Sequence, residues 1–344
     1  MNDLSLPSDS LKSIRQRALG RVRTLGAKIE PFVLESASFL PTITGDFAAL
    51  PSTVQVLELC DAMPVYRSFL QNRWSQLLEK ETDPLSALNL AMHGKGIFIY
   101  VPSNVKVPRF CCSLAMQGFM QIHIVLGAHA ELELELKAEG DGIHACIEVS
   151  MEEGSRLNLH RQMTLQSQQW HMTALRASLK RNAYLESLTQ MSGGRYARIC
   201  DWISLLGEGA EAQLKGLAVL REKEEAHAHW TVDHRAPHTR SLQRFKTVLY
   251  DHSRASFEGK IQVSAQAQKT EAYQLNNNLL FSERAVINSR PNLEIFADDV
   301  KASHGVTIAE IDPQALFYLT SRGISEAAAK QLLADAFCQD LLKK

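Results

Sequence analysis

The sequence lacks most of the signals that mark a catalytic or metal-bound protein. Its six cysteines, Cys60, Cys111, Cys112, Cys146, Cys200 and Cys338, are scattered, and none forms a Cys-x-x-Cys pair. That excludes a zinc knuckle and a ferredoxin-type cluster motif, and leaves each thiol to be read as a small buried hydrophobe. There is no P-loop, no Gly-x-Gly-x-x-Gly and no Gly-x-Ser-x-Gly, so neither a phosphate cradle nor a nucleophile elbow is encoded. No apolar run is long enough to span a bilayer. Met1–Ser10 has no apolar signal-peptide core, and Asp3 and Asp9 speak against an acid-poor transit peptide. The expectation is a cytoplasmic protein. A formal net charge of -1 gives no general attraction to nucleic acid or to an anionic membrane. Tight hairpin dipeptides are scarce as well: Asp141-Gly142 is the one pair of the Asn-Gly or Asp-Gly type.

What is present is ordinary globular material. Hydrophobic residues make up 45% and charged residues 22%, and 344 residues suffice for a large core and for more than one domain. Ser8 to Lys28 reads as an amphipathic helix, with Leu11, Ile14, Ala18, Val22 and Leu25 at helical spacing and Ser8 as its cap. Glu30 to Val54 is irregular, with Pro31, Pro41 and Pro51. Val56 to Glu81 favours helix, interrupted at Pro64, and Pro84 marks the end of this helical region.

From Gly96 the pattern changes to strands. Ile97–Val101 is followed by segments such as Phe119–Leu126, Leu157–Gln162, Ile199–Leu206, Ala226–Asp233 and Ala255–Val263, most of them alternating or rich in β-branched and aromatic residues. Glu131 to Lys137 alternates strictly, with one apolar face. Short polar connections, Glu152-Glu153-Gly154-Ser155 and Gly207-Glu208-Gly209-Ala210, have the character of solenoid corners. The pattern leaves a solenoid and a sandwich both open.

The run Ile287 to Gly323 joins this β-rich body to a helical tail. Asp312 caps a helix with Pro313 at its first position; Leu316, Phe317 and Leu319 fill its turns, and Gly323 ends it. Ser325 restarts a second helix, whose Ala329, Leu332, Leu333, Ala336 and Phe337 form an apolar stripe. Ala297-Asp298-Asp299 and Ser303-His304-Gly305 read as compact and turn-like.

The segments Pro291-Asn292-Leu293-Glu294-Ile295, Asp298-Asp299-Val300, Lys301-Ala302-Ser303-His304-Gly305, Leu316-Phe317-Tyr318-Leu319 and Ser321-Arg322-Gly323 together resemble the C-terminal signature of the SufB/SufD family. That family supplies scaffold components of the SUF iron–sulfur cluster assembly machinery. Ser-His-Gly followed by Leu-Phe-Tyr-Leu is similar to its SufD branch. Asp233 to Ser241, Phe257 to Ile261 and Gln266 to Thr270 look like family core segments, and Gly96 to Pro108 like the entry into that core. The resemblance implies a mainly β fold, a right-handed parallel β-helix core with helical N- and C-terminal segments. The expected divisions are residues 1–84, 85–305 and 306–344. It further implies a SufB-like partner and a SufC-like ABC ATPase, with the ATPase activity in that separate subunit and none in this chain. A homodimer in isolation is a further possibility. No stably bound cofactor is implied, only a transient iron–sulfur cluster at the partner interface.

His304 is the residue the resemblance singles out, as the histidine the family places at the SufB–SufD interface near the proposed site of cluster assembly. Imidazole is a competent iron ligand. Where many relatives carry a cysteine just before Ser-His, this chain has Ala302, so no thiolate is supplied there. Leu316, Phe317, Tyr318 and Arg322 are the expected contacts for the ATPase. A second reading rests on histidine spacing alone: His227 and His229 share one face of a strand, and with His234, His238, Asp233 or His252 nearby they would make a metal-binding enzyme on a β-solenoid. Asp298, Asp299, Glu310 and Asp312 are read as turn and cap residues.

Overall fold

The computed structural model describes residues 9–26, 42–93, 95–115, 118–139 and 142–342; Ser8, Pro31, Pro41 and Asp141 lie outside them. Helix α1 is Asp9–Leu25. A short strand β1 (Thr42–Gly45), a 3-10 turn (Phe47–Ala49) and strand β2 (Gln55–Glu58) follow. The expected helix beginning at Val56 therefore starts later: α2 spans Leu59–Lys80, because Gln55–Glu58 pairs antiparallel with the first body strand instead. The expected interruption is there. Pro64 lies inside α2 and Tyr66 leaves helical geometry at φ −107°, ψ 19°, as the missing N–H requires. Pro84 does not end the helical region. It opens α3, Pro84–Met92, where Asp83 caps the helix by accepting from the Ser86 N–H at 3.0 Å.

Sixteen strands form the body: β3 Lys95–Val101, β4 Lys106–Ala115, β5 Gly118–Leu126, β6 Glu131–Ala138, β7 Ile143–Met151, β8 Arg156–Leu165, β9 Trp170–Leu179, β10 Tyr184–Gly193, β11 Tyr196–Leu205, β12 Glu211–Leu220, β13 Glu225–His234, β14 Arg240–Leu249, β15 Arg254–Val263, β16 Thr270–Leu280, β17 Val286–Ile295 and β18 Val300–Glu310. Even-numbered strands stack into one sheet and odd-numbered ones into the other. Within the body every neighbouring pair is parallel and two apart in sequence, for example β10 with β8 and with β12. This is a β-solenoid of about eight turns, and it decides between the two architectures the pattern left open. Registers such as Arg156↔Tyr184 and Arg240↔Glu271 place one coil 28 to 31 residues from the next. Lys106–Ala115 carries Pro108 and a register shift between Val107 and Phe110, which hides its strand pattern.

The corners explain the scarcity of hairpin dipeptides. Asn104, His129, Gly154, Asn182, Gly209, His238 and Lys269 all have φ between 52° and 68°. Each sends its N–H to a carbonyl one coil further on, as from His129 to Glu153, from Gly154 to Arg181 and from His238 to Gln268. A file of left-handed residues thus turns the chain coil after coil, and each is tied to the next by a backbone hydrogen bond.

The interior is apolar through most of its length, with Ile122, Leu134, Ile147, Leu185, Ile199 and Val232 among its fully buried residues. Two devices interrupt it. One is a buried ion pair, in which Arg161 Nη1 donates to Asp201 Oδ1 at 2.9 Å and Arg161 Nη2 to Ser187 Oγ at 3.2 Å, while the Leu175 N–H donates to Asp201 Oδ1. The other is an aromatic cluster of Trp230, Phe245 and Phe257, with ring centroids 5.1 to 5.6 Å apart.

The N-terminal helices pack on the outer face of the odd-numbered sheet, around Trp74, Leu70 and Phe98. An ionic clasp holds them. Arg176 on β9 donates from Nε and Nη2 to both oxygens of Glu81 at 2.9 Å, and Arg198 on β11 donates to Asp83 at 2.9 Å. Burial alone would push the Asp83 carboxyl up, but Arg198 and Arg176 hold it well below the usual carboxylate range. At the other end, α4 (Pro313–Thr320) and α5 (Glu326–Leu342) follow β18. The Asp312 carboxylate accepts from the Gln314 N–H at 2.9 Å, Gly323 turns at φ +85°, and Ser325 Oγ accepts from the Ala328 N–H at 3.3 Å. The buried face of α5 is shifted from the expected stripe. Ala329 is buried, and Ala334, Cys338 and Leu341 are inside against Leu217 and Val248, while Leu332 and Ala336 face outward. Lys246 fixes the register by donating to the Phe337 carbonyl at 2.5 Å and pairing with Asp340, which Arg244 also reaches at 2.6 Å.

Candidate functional site: the open end of the solenoid

The solenoid is capped at its start and open at its finish. β17 and β18 are the terminal strands of the two sheets, and among the described residues no further coil lies on them. Ala297-Asp298-Asp299 does lie between strands, but the turn expected at Ser303-His304-Gly305 is instead part of β18; residues 286–295 and 300–310 are two full strands in register with β15 and β16. Both strands alternate, with Ile287, Leu293 and Ile295 on the inward row of β17 and Val300, Ala302, Val306 and Ile308 on that of β18. Pro291 and the small, polar Ser303-His304-Gly305 interrupt the pattern and give it the look of a turn. Pro291 sits in the middle of β17, where an edge strand tolerates it and where it blocks further pairing.

The register gives His304 a definite place. Leu134↔Leu159, Leu159↔Ser187, Ser187↔Leu214, Leu214↔Gln243, Gln243↔Gln274 and Gln274↔His304 are successive partners. His304 thus stands on the inward-facing row of the last coil and is exposed because that coil is the last. The column turns from leucine to glutamine to histidine as it approaches the opening. Its neighbours turn polar too: Phe245 pairs with Asn276 and Thr247 with Asn278, and all four are buried. Past the aromatic cluster the filling divides: this column turns polar, while Ile261, Val263, Ala267 and Ala272 keep an apolar cluster at the other side of the coil.

Beyond the aromatic cluster, several polar atoms are buried without partners. Neither amide atom of Gln274 has one, nor do Gln243 Oε1, Asn278 Oδ1, Thr247 Oγ1 and Ser289 Oγ. Gln274 is only 2% exposed. Gly259 makes room for it, since a Cβ there would lie 2.0 Å from Gln274 Nε2. The other asparagine contacts are made: Asn276 Nδ2 donates to the Phe245 carbonyl at 3.1 Å, and Asn278 Nδ2 to Asn276 Oδ1 at 2.8 Å. A run of unmatched donors and acceptors next to an opening is suited to water or to polar groups brought by a neighbour. Ile295, Phe296, Val306 and Ile308, between 37% and 70% exposed, surround it with apolar surface.

The remaining expected residues are apart from this end. Of the ATPase contacts, Phe317 is 72% and Tyr318 55% exposed, Arg322 is exposed with its guanidinium 4.5 Å above the Tyr318 ring, and Leu316 is half-buried. The four histidines of the metal reading do not meet. His227 and His229 do share the outer face of β13, but they are tied to Ser256 and Glu258 at 2.7 and 3.4 Å. His234 points to the opposite, interior face, bonded to Thr239 and Ser241 at 2.8 Å, with its pKa pushed down to about 3 by burial. His252 lies in the turn after β14, beside Arg284. Asp233 pairs with Arg235, and His238 is a corner residue. Among the described residues no group of three or more His, Cys, Asp and Glu is arranged to hold a metal ion. Sequence reasoning missed the Gln243–Gln274 column; its signal is the polar run Asn276-Asn277-Asn278 inside a strand, where alternation predicts apolar residues.

Comparison with known proteins agrees with this architecture. The family model described as SUF system FeS cluster assembly, SufBD core domain, matches residues 112–337, and that of the SufBD protein N-terminal region matches residues 32–111. The chain is similar to the iron–sulfur cluster assembly protein SufD of Escherichia coli, with 38% identity over 43% of this chain and 35% of that protein. An iron–sulfur cluster assembly SufBD family protein of Synechocystis is 38% identical over 39% of this chain and 30% of its own length. One of Pyrococcus horikoshii is 28% identical over 84% of this chain and 67% of its own. The matched stretch therefore spans about a third of the first two relatives. With family models covering residues 32–337 of a two-sheet solenoid, the chain belongs to the SufB/SufD family, on its SufD branch.

Proposed function

We propose that this chain is a scaffold subunit for iron–sulfur cluster assembly rather than an enzyme. In this reading the open end of the solenoid pairs with a SufB-like subunit, and α4 with α5 holds a SufC-like ABC ATPase in the cytoplasm. The observation that carries it is the uncapped last coil, with His304 on its inward-facing row beside unmatched buried amides and an apolar rim. A solenoid end needs a cap, and here that cap is a partner. A nascent cluster is cargo at this junction. His304 offers one imidazole to it; Ala302 offers nothing, so any thiolate comes from the partner. The exposed Phe317, Tyr318 and Arg322, with half-buried Leu316, supply the aromatic and cationic contacts typical of a docking patch. ATP-driven association of the ATPases is transmitted through α4, which is joined to β18 by only Ile311 and Asp312.

Co-purification of the tagged chain from its host, with subunits identified by mass, tests the reading. The expected result is a SufB-like protein and a SufC-like ATPase in fixed ratio, with His304→Ala keeping the complex but losing cluster formation on it. Deleting residues 325–344 should release the ATPase and spare the SufB-like partner. Recovery of the chain alone as a dimer that ignores added SufB-like protein would replace this reading with a homodimeric scaffold.

A further inference from the structure

A second site lies on the opposite face from the C-terminal helices, where the end of α2 meets the outer surface of β9 and β11. A cleft of about 120 Å³ opens there. Four cations line it, Arg73, Lys80, Arg176 and Arg235, against one carboxylate, Glu81. Glu81 is fully used by the fork of Arg176, so these two cancel. Arg235 has Asp233 at 2.6 Å. Arg73 makes no salt bridge among the described residues, though the buried Glu148 carboxyl acts on it electrostatically: its Nη1 donates to Ser178 Oγ at 3.1 Å and its Nη2 to the Val149 carbonyl at 3.5 Å. Lys80 pairs with no acid among the described residues.

The strand register sets the spacing. Ser178, Ser204 and Asp233 are neighbours across β9, β11 and β13. Arg73 anchors the first and Arg235 the last, so two guanidiniums flank the Ser204 hydroxyl across two strand spacings, roughly 10 Å. That hydroxyl has no partner among the described residues. Trp202, half-buried, and Leu206, 47% exposed, give the cleft an apolar shelf beside this polar row.

We propose that this cleft binds a small organic phosphate, with the phosphate held by Arg73, Ser204 and Arg235 and a planar organic part lying on Trp202. Guanidinium forks and a hydroxyl suit the tetrahedral oxygens, and the surplus positive charge selects an anion. The test is titration of the full chain with phenyl phosphate, phenol and inorganic phosphate at constant ionic strength, followed by calorimetry and by tryptophan emission. Trp74, Trp170 and Trp230 are at most 5% exposed, so Trp202 is the reporter. Phenyl phosphate should bind once per chain and shift the emission. Arg73→Met should weaken it at least tenfold, with Arg73→Lys recovering part of the loss, while Lys106→Met, on the far sheet, leaves it unchanged. Trp202→Phe should remove the optical signal while heat of binding persists. Lys80→Met and Arg235→Met, on exposed side chains, decide the matter if Arg73→Met does not fold. Absence of saturable heat, or affinity indifferent to all three cation variants, overturns the site; equal affinity for inorganic phosphate overturns the role of Trp202.

Discussion

Single residues in this chain are judged by what surrounds them inside the coils. Arg161 and Asp201 are 3% and 2% exposed and bonded to each other, to Ser187 and to a backbone N–H. Such a pair adds little net stability when intact, but breaking it strands a charge in the interior. Arg161→Met should lower the unfolding free energy by about 3–5 kcal/mol, read as a lower urea midpoint, and Asp201→Asn in the same background should recover part of that loss. Buried histidines set the acid limit. Burial pushes His123, His144, His171 and His234 down to about 3 and His93 to about 4. Their folded state holds them neutral, so their contribution is complete above the unfolded value near pH 6.5 and is lost progressively as pH falls below it. Asp83, held low by Arg198 and Arg176 against its burial, adds a loss below about pH 4. Glu148, pushed up to about 7 by burial, runs the other way, giving most below about pH 4 and losing it as pH rises to neutrality. Five imidazoles outweigh one carboxyl, so the urea midpoint should fall steadily from pH 7 to pH 5; a flat profile would contradict the neutral assignment.

At the scale of elements, the sequence was legible wherever burial imposed a period. The strict alternation of Glu131 to Lys137 and the corners at Gly154 and Gly209 are plain in the sequence, because in mid-body each coil has a neighbour on both sides and one row must be apolar. The helix caps at Asp312 and Ser325 were legible because capping is local chemistry. The start of α2, the start of α3 and the two last strands were not. Val56 was assigned to a helix whose apolar residues are equally suited to a strand, and only pairing with β3 decides between them. Ser303-His304-Gly305 has the composition of a turn, and only its register with Tyr273, Gln274 and Leu275 makes it strand. His304 was found through family resemblance; its orientation came from the register with Gln274, which spacing in one chain does not encode. Close packing between elements gives a sharp test at Gly216. A Cβ there would lie 2.3 Å from the Phe245 ring and 2.8 Å from Trp230. Gly216→Ala should cost about 1–3 kcal/mol through overpacking and lower the thermal midpoint, whereas Gly20→Ala, in open space on α1, should not.

For the whole molecule the decisive fact is the difference between its two ends. The first coil is closed by β1 and β2, and the N-terminal helices are locked onto the mid-body strands β9 and β11 by the clasp of Glu81 with Arg176 and of Asp83 with Arg198. The last coil has edge strands, lying over unmatched amides on β14 and β16. Opening should therefore begin at β17 and β18. Hydrogen exchange should be fast there and slow in β9 to β13, and a SufB-like partner should selectively slow the terminal strands. Uniform protection along the body in the free chain would contradict this polarity. The same asymmetry should leave the proposed pairing surface the easiest part of the fold to open, so a partner that binds its folded form stabilises it by mass action while its binding energy supplies the cost of ordering.

The stacked corners have one more consequence. Because every coil is tied to the next by the same backbone bond at its left-handed corner, the solenoid advances by a fixed step, roughly 4.8 Å per coil. The body is therefore a ruler. About eight turns hold the first coil, where β1 and β2 pair, roughly 35 Å from the row that carries His304, and the two cannot approach each other without breaking the stack. Removing one whole coil would leave both ends chemically intact and shorten the reach by one step, so whatever is gripped at the two ends would be mismatched by a known length.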